Sequence, residues 1–582
     1  MWKPMLTVYN DHLPTGSEWV YQIKYDGFRC GLEWEKDSIR LWSRNGKELT
    51  KQFPEIIKAC EKVKDQIESY LPLFLDGELT VLRTPFQAEF SLIQKRGRTR
   101  NTEKINQAAK ERPATFICFD VLTFKGKDAV QENLQQRLSY LDDIFRQIGN
   151  HYELQLITTY KKLSDIEKIM ELHQAEGIIA KNKKTSYLRG KRSEDWTKMK
   201  YYRSFPTFIT GWNVENDYFD VSVFSSEEII PCGKVKNGFS DNEEETLTTF
   251  IKNNGKKKRN EWTLDPSVCI EIHCLGVDNG ELREPVFSQF RFDLKPEDCT
   301  VENVKLGLSQ LPDDVEITKP DKLFFPDVTK RDYVQYIRTV APFLLPRLMN
   351  KRLTTIRFPD GIHDKSFYQK HVPSYAPDFL ESVSDEEGNY DIVCNNLESL
   401  LWLANHSAIE FHVPFQTVES NLPDEMVFDL DPPSLSKLSD AIKAAQLIRK
   451  MTEEKGFQPL VKTSGRTGLQ LHIPLKEKQM TFQETRVFME AVSLVLTENF
   501  PDLFTVERLK KNRKNRLYLD YVQHAPGKTI IAPYSCRATK EATVATPLFW
   551  EEVNEKLNPK AFTVHTIPDR LIDKGCPWLQ ST

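Results

Sequence analysis

Lys24-Tyr25-Asp26-Gly27-Phe28-Arg29 follows a short β-rich run, Tyr21-Gln22-Ile23, and opens into a turn. Alone the K-x-D-G tetrad says little, because Asp-Gly is a common turn and a lysine beside it is ordinarily solvated. Its weight comes from the segments that follow in order. These are Ser43-Arg44-Asn45-Gly46, Asp76-Gly77-Glu78-Leu79, Phe119-Asp120-Val121-Leu122, Glu176-Gly177-Ile178-Ile179-Ala180-Lys181 and Trp196-Thr197-Lys198-Met199-Lys200. Between them, strands are expected at 73–76, 115–119 and 177–180, and helices at 52–68 and 164–174. On the last strand Lys198 and Lys200 share a face, so both can point into one pocket while Thr197 and Met199 face away.

The ordered set resembles the covalent nucleotidyltransferase superfamily and, within it, the ATP-dependent DNA ligases. The resemblance implies an ATP-grasp-like nucleotidyltransferase fold in which the Lys24 amine attacks the α-phosphate of ATP. The resulting phosphoramidate divides one difficult transfer into easier steps. A free lysine has a pKa of about 10.4, so neighbouring cations and a bound metal must help to expose a neutral amine. By resemblance, Lys198 and Lys200 contact the nucleotide phosphates, Glu78 and Glu176 serve metal and ribose, and Arg29 and Arg44 contact AMP or nearby phosphate. Phe119 matches the aromatic that stacks on adenine, although an ordinary core aromatic would read the same way. Gln22 departs from the pattern, in which a glutamate often precedes the lysine by two residues.

Around these segments the chain has 582 residues, about three or four domains at ordinary domain sizes. Its 39% hydrophobic content excludes a disordered or low-complexity protein. With 80 Lys plus Arg against 84 Asp plus Glu, the net charge is −4, so any nucleic-acid binding must come from local patches. No apolar run approaches a membrane span, no signal-peptide core opens the chain, and the ten cysteines form no CxxC pair. These features lead us to expect a cytoplasmic, nucleoid-associated monomer without membrane contact. The multidomain α/β and β layout divides as 1–203, an adenylation domain; 204–300, a small OB-fold barrel with one helix near 241–253; 301–316, an acidic linker; and 317–582, a second α/β domain. In the barrel segment, Leu282-Arg283-Glu284-Pro285 through Arg291-Phe292-Asp293 resembles the ligases' last motif, which implies that Arg283 and Arg291 orient the pyrophosphate leaving group. Glu284 stands where that pattern often has histidine.

The C-terminal segment carries a second constellation. Met426-Val427-Phe428-Asp429-Leu430-Asp431 reads as a strand with both aspartates on one face, about 7 Å apart at the ~3.3 Å rise of a strand. Lys462-Thr463-Ser464-Gly465-Arg466-Thr467-Gly468 supplies a Gly-rich turn with phosphate-binding donors, Arg516-Leu517-Tyr518-Leu519-Asp520 a third carboxylate, and Pro533-Tyr534-Ser535-Cys536-Arg537 another cation. Together with Thr318-Lys319-Pro320-Asp321-Lys322, Phe367-Tyr368-Gln369-Lys370 and Glu410-Phe411-His412, they resemble the archaeo-eukaryotic-primase-like polymerase domain of bacterial ligase D. This implies that Asp429, Asp431 and Asp520 hold two Mg2+ or Mn2+ ions, that His412, Ser464, Arg466 and Arg537 bind an incoming NTP or dNTP, and that Lys322 and Lys330 grip a DNA 5′-phosphate. Gln470 occupies a histidine position of the pattern and Thr467 a lysine position.

Three basic clusters, 95–100, 256–259 and 508–516, suggest tracking of a phosphate backbone. Taken together, the two halves resemble the short form of the bacterial ligase D family. The resemblance implies ATP-dependent sealing and nucleotide addition at double-stranded DNA ends and nicks, in non-homologous end joining with the bacterial Ku homodimer. The segment lengths leave no room for the family's phosphoesterase module. An RNA ligase or capping-type nucleotidyltransferase would share the Lys24 chemistry but leave the C-terminal half unexplained. A catalytically dead end-binding scaffold would not need the lysine and aspartate sets.

Overall fold

The computed structural model describes residues 2–149, 151–278, 281–475 and 479–580 and divides into two compact units, 1–311 and 312–582. In the first unit two sheets face one another. One has the strand order Leu6–Tyr9, Arg192–Lys200, Gly177–Asn182, Trp19–Ile23. The other runs Leu154–Leu156, Thr115–Phe124, Leu73–Thr80, Phe28–Trp34, Ile39–Ser43. Each sheet buries its outer face under helices. Ile166 and Met170 of Leu163–His173 pack on Tyr21, Ile23 and Ile178. Ile56 and Val63 of Pro54–Ile67, with Leu141 and Ile144 of Leu134–Ile148, cover Leu32, Trp34 and Leu75. Between the sheets Met5, Ile117, Phe119, Ile157, Tyr187 and Trp196 form a smaller core. The two helix-covered layers thus leave their inner faces free for a site.

Residues 203–290 form a curled seven-stranded sheet around Ile209, Phe219, Val221, Ile270, Ile272 and Phe287. The helix Asp241–Asn254, started by a Ser240/Glu243 capping box, adds Leu247 and Ile251 to that core. The start of the expected linker is structured. Val301–Ser309 is a helix, N-capped by Thr300, and Val301 and Val304 pack against Phe208, Val223, Cys269 and Cys299. Two apolar side chains three residues apart, Val301 and Val304, anchor this helix to the barrel.

The second unit also has two sheets. A six-stranded sheet runs Phe504–Thr505, Leu517–Asp520, Glu425–Asp431, Leu469–Pro474, Leu460–Thr463, Pro547–Leu548. The helices Leu438–Glu453 and Phe482–Asn499 cover one face of it, where Phe428, Leu430, Leu471 and Leu519 meet Ile448 and Met489. A four-stranded sheet runs Phe367–Gln369, Thr354–Arg357, Ala408–Pro414, Thr529–Ile531. The long helix Lys330–Leu348 is tied down by buried tyrosines, Tyr333 donating to the Ala408 carbonyl (2.7 Å) and Tyr336 to that of Tyr534 (2.8 Å).

Candidate active sites

In the first unit Lys24 follows the strand Trp19–Ile23, its backbone N–H donating to the Gly177 carbonyl at 2.9 Å. Gly27 is required just after it, because a Cβ there would lie 2.2 Å from the Leu79 carbonyl oxygen. The Lys24 ammonium pairs with Glu176. A cavity between the two sheets is lined by Gln22, Lys24, Arg29, Arg44, Glu78, Phe119, Lys181 and Trp196. Trp196 belongs to the inner core while Met199 packs outward against the Tyr21 cluster. That puts Lys198 and Lys200 on the inner face, as strand parity requires.

Two carboxylates attend the lysine. Burial pushes the Glu78 pKa up to about 8, against the pull of Arg29 and Lys24. Burial likewise raises that of Glu176, with Lys24 opposing. The second Glu176 oxygen is buried with no hydrogen-bond partner among the described residues. Two buried carboxyls that burial keeps from ionising, one with an orphaned oxygen, offer oxygen ligands to a divalent cation, whose charge would favour their ionised forms.

Several supporting residues had no assigned role in the sequence. Asp76 is fully buried and accepts from Arg29 Nε and Nη2, each at 2.7 Å, while taking a 2.7 Å bond from the Tyr187 hydroxyl. The Arg29 guanidinium lies 4.4 Å and the Lys181 amine 4.3 Å from the Phe119 ring centre. Lys181 is itself buried 4.0 Å from the Trp196 ring, and burial pushes its pKa down to about 7. Phe119 therefore forms a wall of the cavity with cations close to its ring.

The two barrel arginines part company. Arg283 reaches Asp26, two residues beyond Lys24, and lies 4.9 Å from the Phe90 ring. Its neighbour Glu284, with φ of 47°, pairs with Lys200. Arg291 is instead committed to Glu271 and Asp293, each at 2.7 Å, and does not line the cavity.

In the second unit antiparallel register sets Asp429 directly opposite Asp520, with Asp431 two residues along the same face. Phe428 and Leu430 point into the core below. Burial pushes the Asp429 pKa up to about 6, partly offset by a 3.1 Å bond from the Gln470 amide and reinforced by Asp520 and Asp431. Lys462, buried and pushed down to about 7, donates to the other end of Gln470. Gln470 thus joins a buried lysine to the acidic cluster. Arg513 donates to Asp431 at 3.2 Å and stacks over Tyr518. Three carboxylates on one face of two paired strands offer hard-oxygen donors of the kind Mg2+ or Mn2+ takes.

Beside them the Gly-rich turn depends on Gly465 in the left-handed region, φ +73°, where a Cβ would also strike Arg537. The Ser464 hydroxyl accepts the N–H groups of Arg466 (3.3 Å) and Gly468 (3.1 Å). His412, Arg466 and Arg537 converge on Glu410, which is 2% exposed. Despite its burial, His412 and Arg537 hold this carboxylate down at about 2.

Elsewhere in the unit Lys330 donates to Thr318 (2.8 Å) and Lys322 to Asp360 (2.7 Å). Burial, then Lys322 and Lys319, depress Lys330 to about 8, a crowding of cations that suits an anion. Of the basic clusters, 95–100 is less available than its sequence suggests. Arg96 lies in the interior, bonded to Glu55 at 2.7 Å, so it serves the fold and not a phosphate. Among the described residues no helix is long and apolar enough to cross a membrane.

Residues 4–200 match the family described as ATP dependent DNA ligase domain, and residues 329–578 the family described as LigD, primase-polymerase domain. The bifunctional non-homologous end joining protein LigD of Bacillus subtilis is 39% identical over 593 residues, covering 99% of this chain and 95% of that one. The multifunctional non-homologous end joining protein LigD of Pseudomonas aeruginosa is 25% identical over 602 residues, covering 96% and 69% respectively. Among solved structures, the polymerase domain of Mycobacterium tuberculosis ligase D in complex with DNA aligns with a TM-score of 0.43 at 27% identity, covering 46% of this chain and 97% of that one.

Proposed function

The chain belongs to the LigD family of bifunctional non-homologous end joining proteins, with an ATP-dependent DNA ligase domain and a primase-polymerase domain, and from that premise we propose how its own residues divide the work. The observation that carries the reading is the occurrence, in one chain, of Lys24 paired with Glu176 and of Asp429 registered against Asp520.

In the ligase half Lys24 is the nucleophile toward the α-phosphate of ATP, and its proton leaves by way of Glu176, the carboxylate already in contact. Lys198 and Lys200 hold the phosphates, Arg29 is kept rigid by Asp76, and Arg283 approaches through Asp26. The bond between the α- and β-phosphates breaks and pyrophosphate departs, AMP rests on the Lys24 nitrogen and passes to a DNA 5′-phosphate, and it leaves when the 3′-hydroxyl attacks.

In the polymerase half Asp429, Asp431 and Asp520 bind the catalytic ions, and His412, Ser464, Arg466 and Arg537 bind the triphosphate of an NTP or dNTP. Lys322 and Lys330 take the 5′-phosphate of the broken end. Mg2+ or Mn2+, bound by these aspartates and by Glu78 and Glu176, would neutralise charge on transferring phosphoryl oxygens and make a hydroxyl more acidic.

Domain boundaries near 203 and 311, a monomeric state, a cytoplasmic, nucleoid-associated location and delivery to double-stranded ends by a Ku homodimer complete the proposal. A duplex carrying a one-nucleotide gap with a 5′-phosphate tests it. The purified chain, given ATP, a divalent cation and the missing nucleotide, should fill and then seal the gap. Filling without sealing, or sealing of a simple nick without filling, would refute the division of labour.

A further inference from the structure

Glu410 lies on the strand Ala408–Pro414, two residues before His412 and on the same face. Its Oε1 faces Arg466 (3.5 Å) from the Gly-rich turn and accepts the Ala538 N–H (3.1 Å). Its Oε2 takes His412 Nε2 (3.0 Å) and Arg537 Nη1 (3.0 Å). Four donors, from its own strand, the Gly-rich turn and the consecutive residues Arg537 and Ala538, thus surround one carboxylate that water barely reaches. A carboxylate is tolerated at such depth only when its lone pairs are engaged, and removing it would leave a buried arginine without a counter-ion.

We propose that Glu410 is a positioning residue for the polymerase reaction, fixing His412, Arg466 and Arg537 as one array for the triphosphate of the incoming nucleotide. The inference rests on the triphosphate assignment made above and adds a residue to it. Two guanidiniums and an imidazole share a single negative charge, so the array keeps an excess of positive charge for a polyanion. The three partners differ in freedom. The side chains of His412 and Arg537 are 18% and 14% exposed, whereas that of Arg466 is 54% exposed and at the longest distance. Arg466 is therefore the member that turns from Glu410 to phosphate, while the other two keep their direction.

Glu410 also selects the state of the imidazole. An ionised carboxylate only accepts, so its bond with Nε2 requires a proton there and leaves Nδ1 as the other nitrogen. Neutral His412 would then present a lone pair at Nδ1, and only the protonated ring donates from both nitrogens. Burial lowers the affinity of His412 for that proton. Glu410 raises it, and Arg537 and Lys462, from the neighbouring turn and strand, lower it again. The flanking strand partners of His412, Thr354 and Ile531, are uncharged.

The test is nucleotide addition to primer–template DNA by the full chain across neutral pH, comparing Glu410→Gln and Glu410→Asp with Arg466→Ala and His412→Ala. Glu410→Gln should raise KM for the nucleotide about tenfold, the size of one lost charge-assisted bond, more than it lowers kcat. It should also make KM begin to rise at lower pH, because the imidazole has lost its anion. Glu410→Asp, which withdraws the charge without removing it, should raise KM while leaving that pH profile in place, and it decides the matter if the glutamine variant does not fold. Wild-type KM and an unmoved pH profile in both Glu410 variants, with KM raised by Arg466→Ala, would overturn the role of Glu410 alone. If Arg466→Ala and His412→Ala are silent as well, the triphosphate assignment itself is wrong.

Discussion

Glu284, in the turn between Arg283 and the barrel strand Val286–Phe290, is ion-paired with Lys200 on the adenylation strand Arg192–Lys200. Burial pulls the Lys200 pKa down, but the bond to Glu284 outweighs it and the pKa is raised. The pair thus places a carboxylate on a lysine assigned to the nucleotide phosphates. Triphosphate and Glu284 compete for it, and Glu284→Gln should lower KM for ATP about two- to fivefold, the range of a half-exposed ion pair. The initial rate of covalent labelling against ATP concentration measures this. A raised KM would mean that Glu284 helps nucleotide binding.

The two chemistries should separate cleanly by substitution. Lys24→Ala is expected to abolish covalent AMP labelling and to leave nucleotide addition intact. Asp429→Ala should do the reverse, since its register partner Asp520 belongs to the second unit alone. Either substitution silencing both activities in a folded chain would contradict two independent centres.

A buried histidine makes the second unit acid-sensitive. His524, 1% exposed between Phe415 and Phe482 and bonded to Thr485, has its pKa pushed down to about 4 by burial, with Glu425 opposing weakly. The unfolded chain therefore binds a proton that the fold refuses between about pH 6.5 and about pH 4. The stabilisation is complete above that window and is lost as pH falls through it, to a total of about 3 kcal/mol. The urea midpoint should drop less between about pH 7 and about pH 5 in His524→Phe than in the parent. Equal losses would remove His524 as a cause.

DNA affinity should depend steeply on salt. The chain is net acidic, so binding must rest on local cations such as the 508–516 segment, whose Arg513 already reaches Asp431. Between about 50 and 200 mM salt the affinity for duplex ends should drop by a factor of ten or more. A flat response in a fluorescence-anisotropy titration would exclude backbone contacts as the main source of binding.

What could be read in the sequence was whatever local periodicity fixes. Alternation along a strand was enough to put Lys198 with Lys200 and Asp429 with Asp431, and both pairs share faces in the structure. Hidden were the residues whose roles arise from pairing across the chain. Asp76 ends an expected strand with no role of its own until Arg29 and Tyr187 close on it, and Lys462 opens a Gly-rich turn until strand register places it against Gln470. Glu410 had one usable signal, its two-residue spacing from His412. Arg96 misled because charge in a basic run does not reveal which member faces inward toward Glu55. The helix Val301–Ser309 was obscured because its two anchoring valines alternate with polar residues and a glycine interrupts the pattern.

The central claim is a covalent one: Lys24, paired with Glu176, carries the adenylate. Mass spectrometry of peptides from the chain incubated with ATP and magnesium ions tests it most directly. AMP should be found on the peptide containing Lys24 and on that nitrogen alone. No adduct, or an adduct on Lys198 or Lys200 with Lys24 unmodified, would contradict the account.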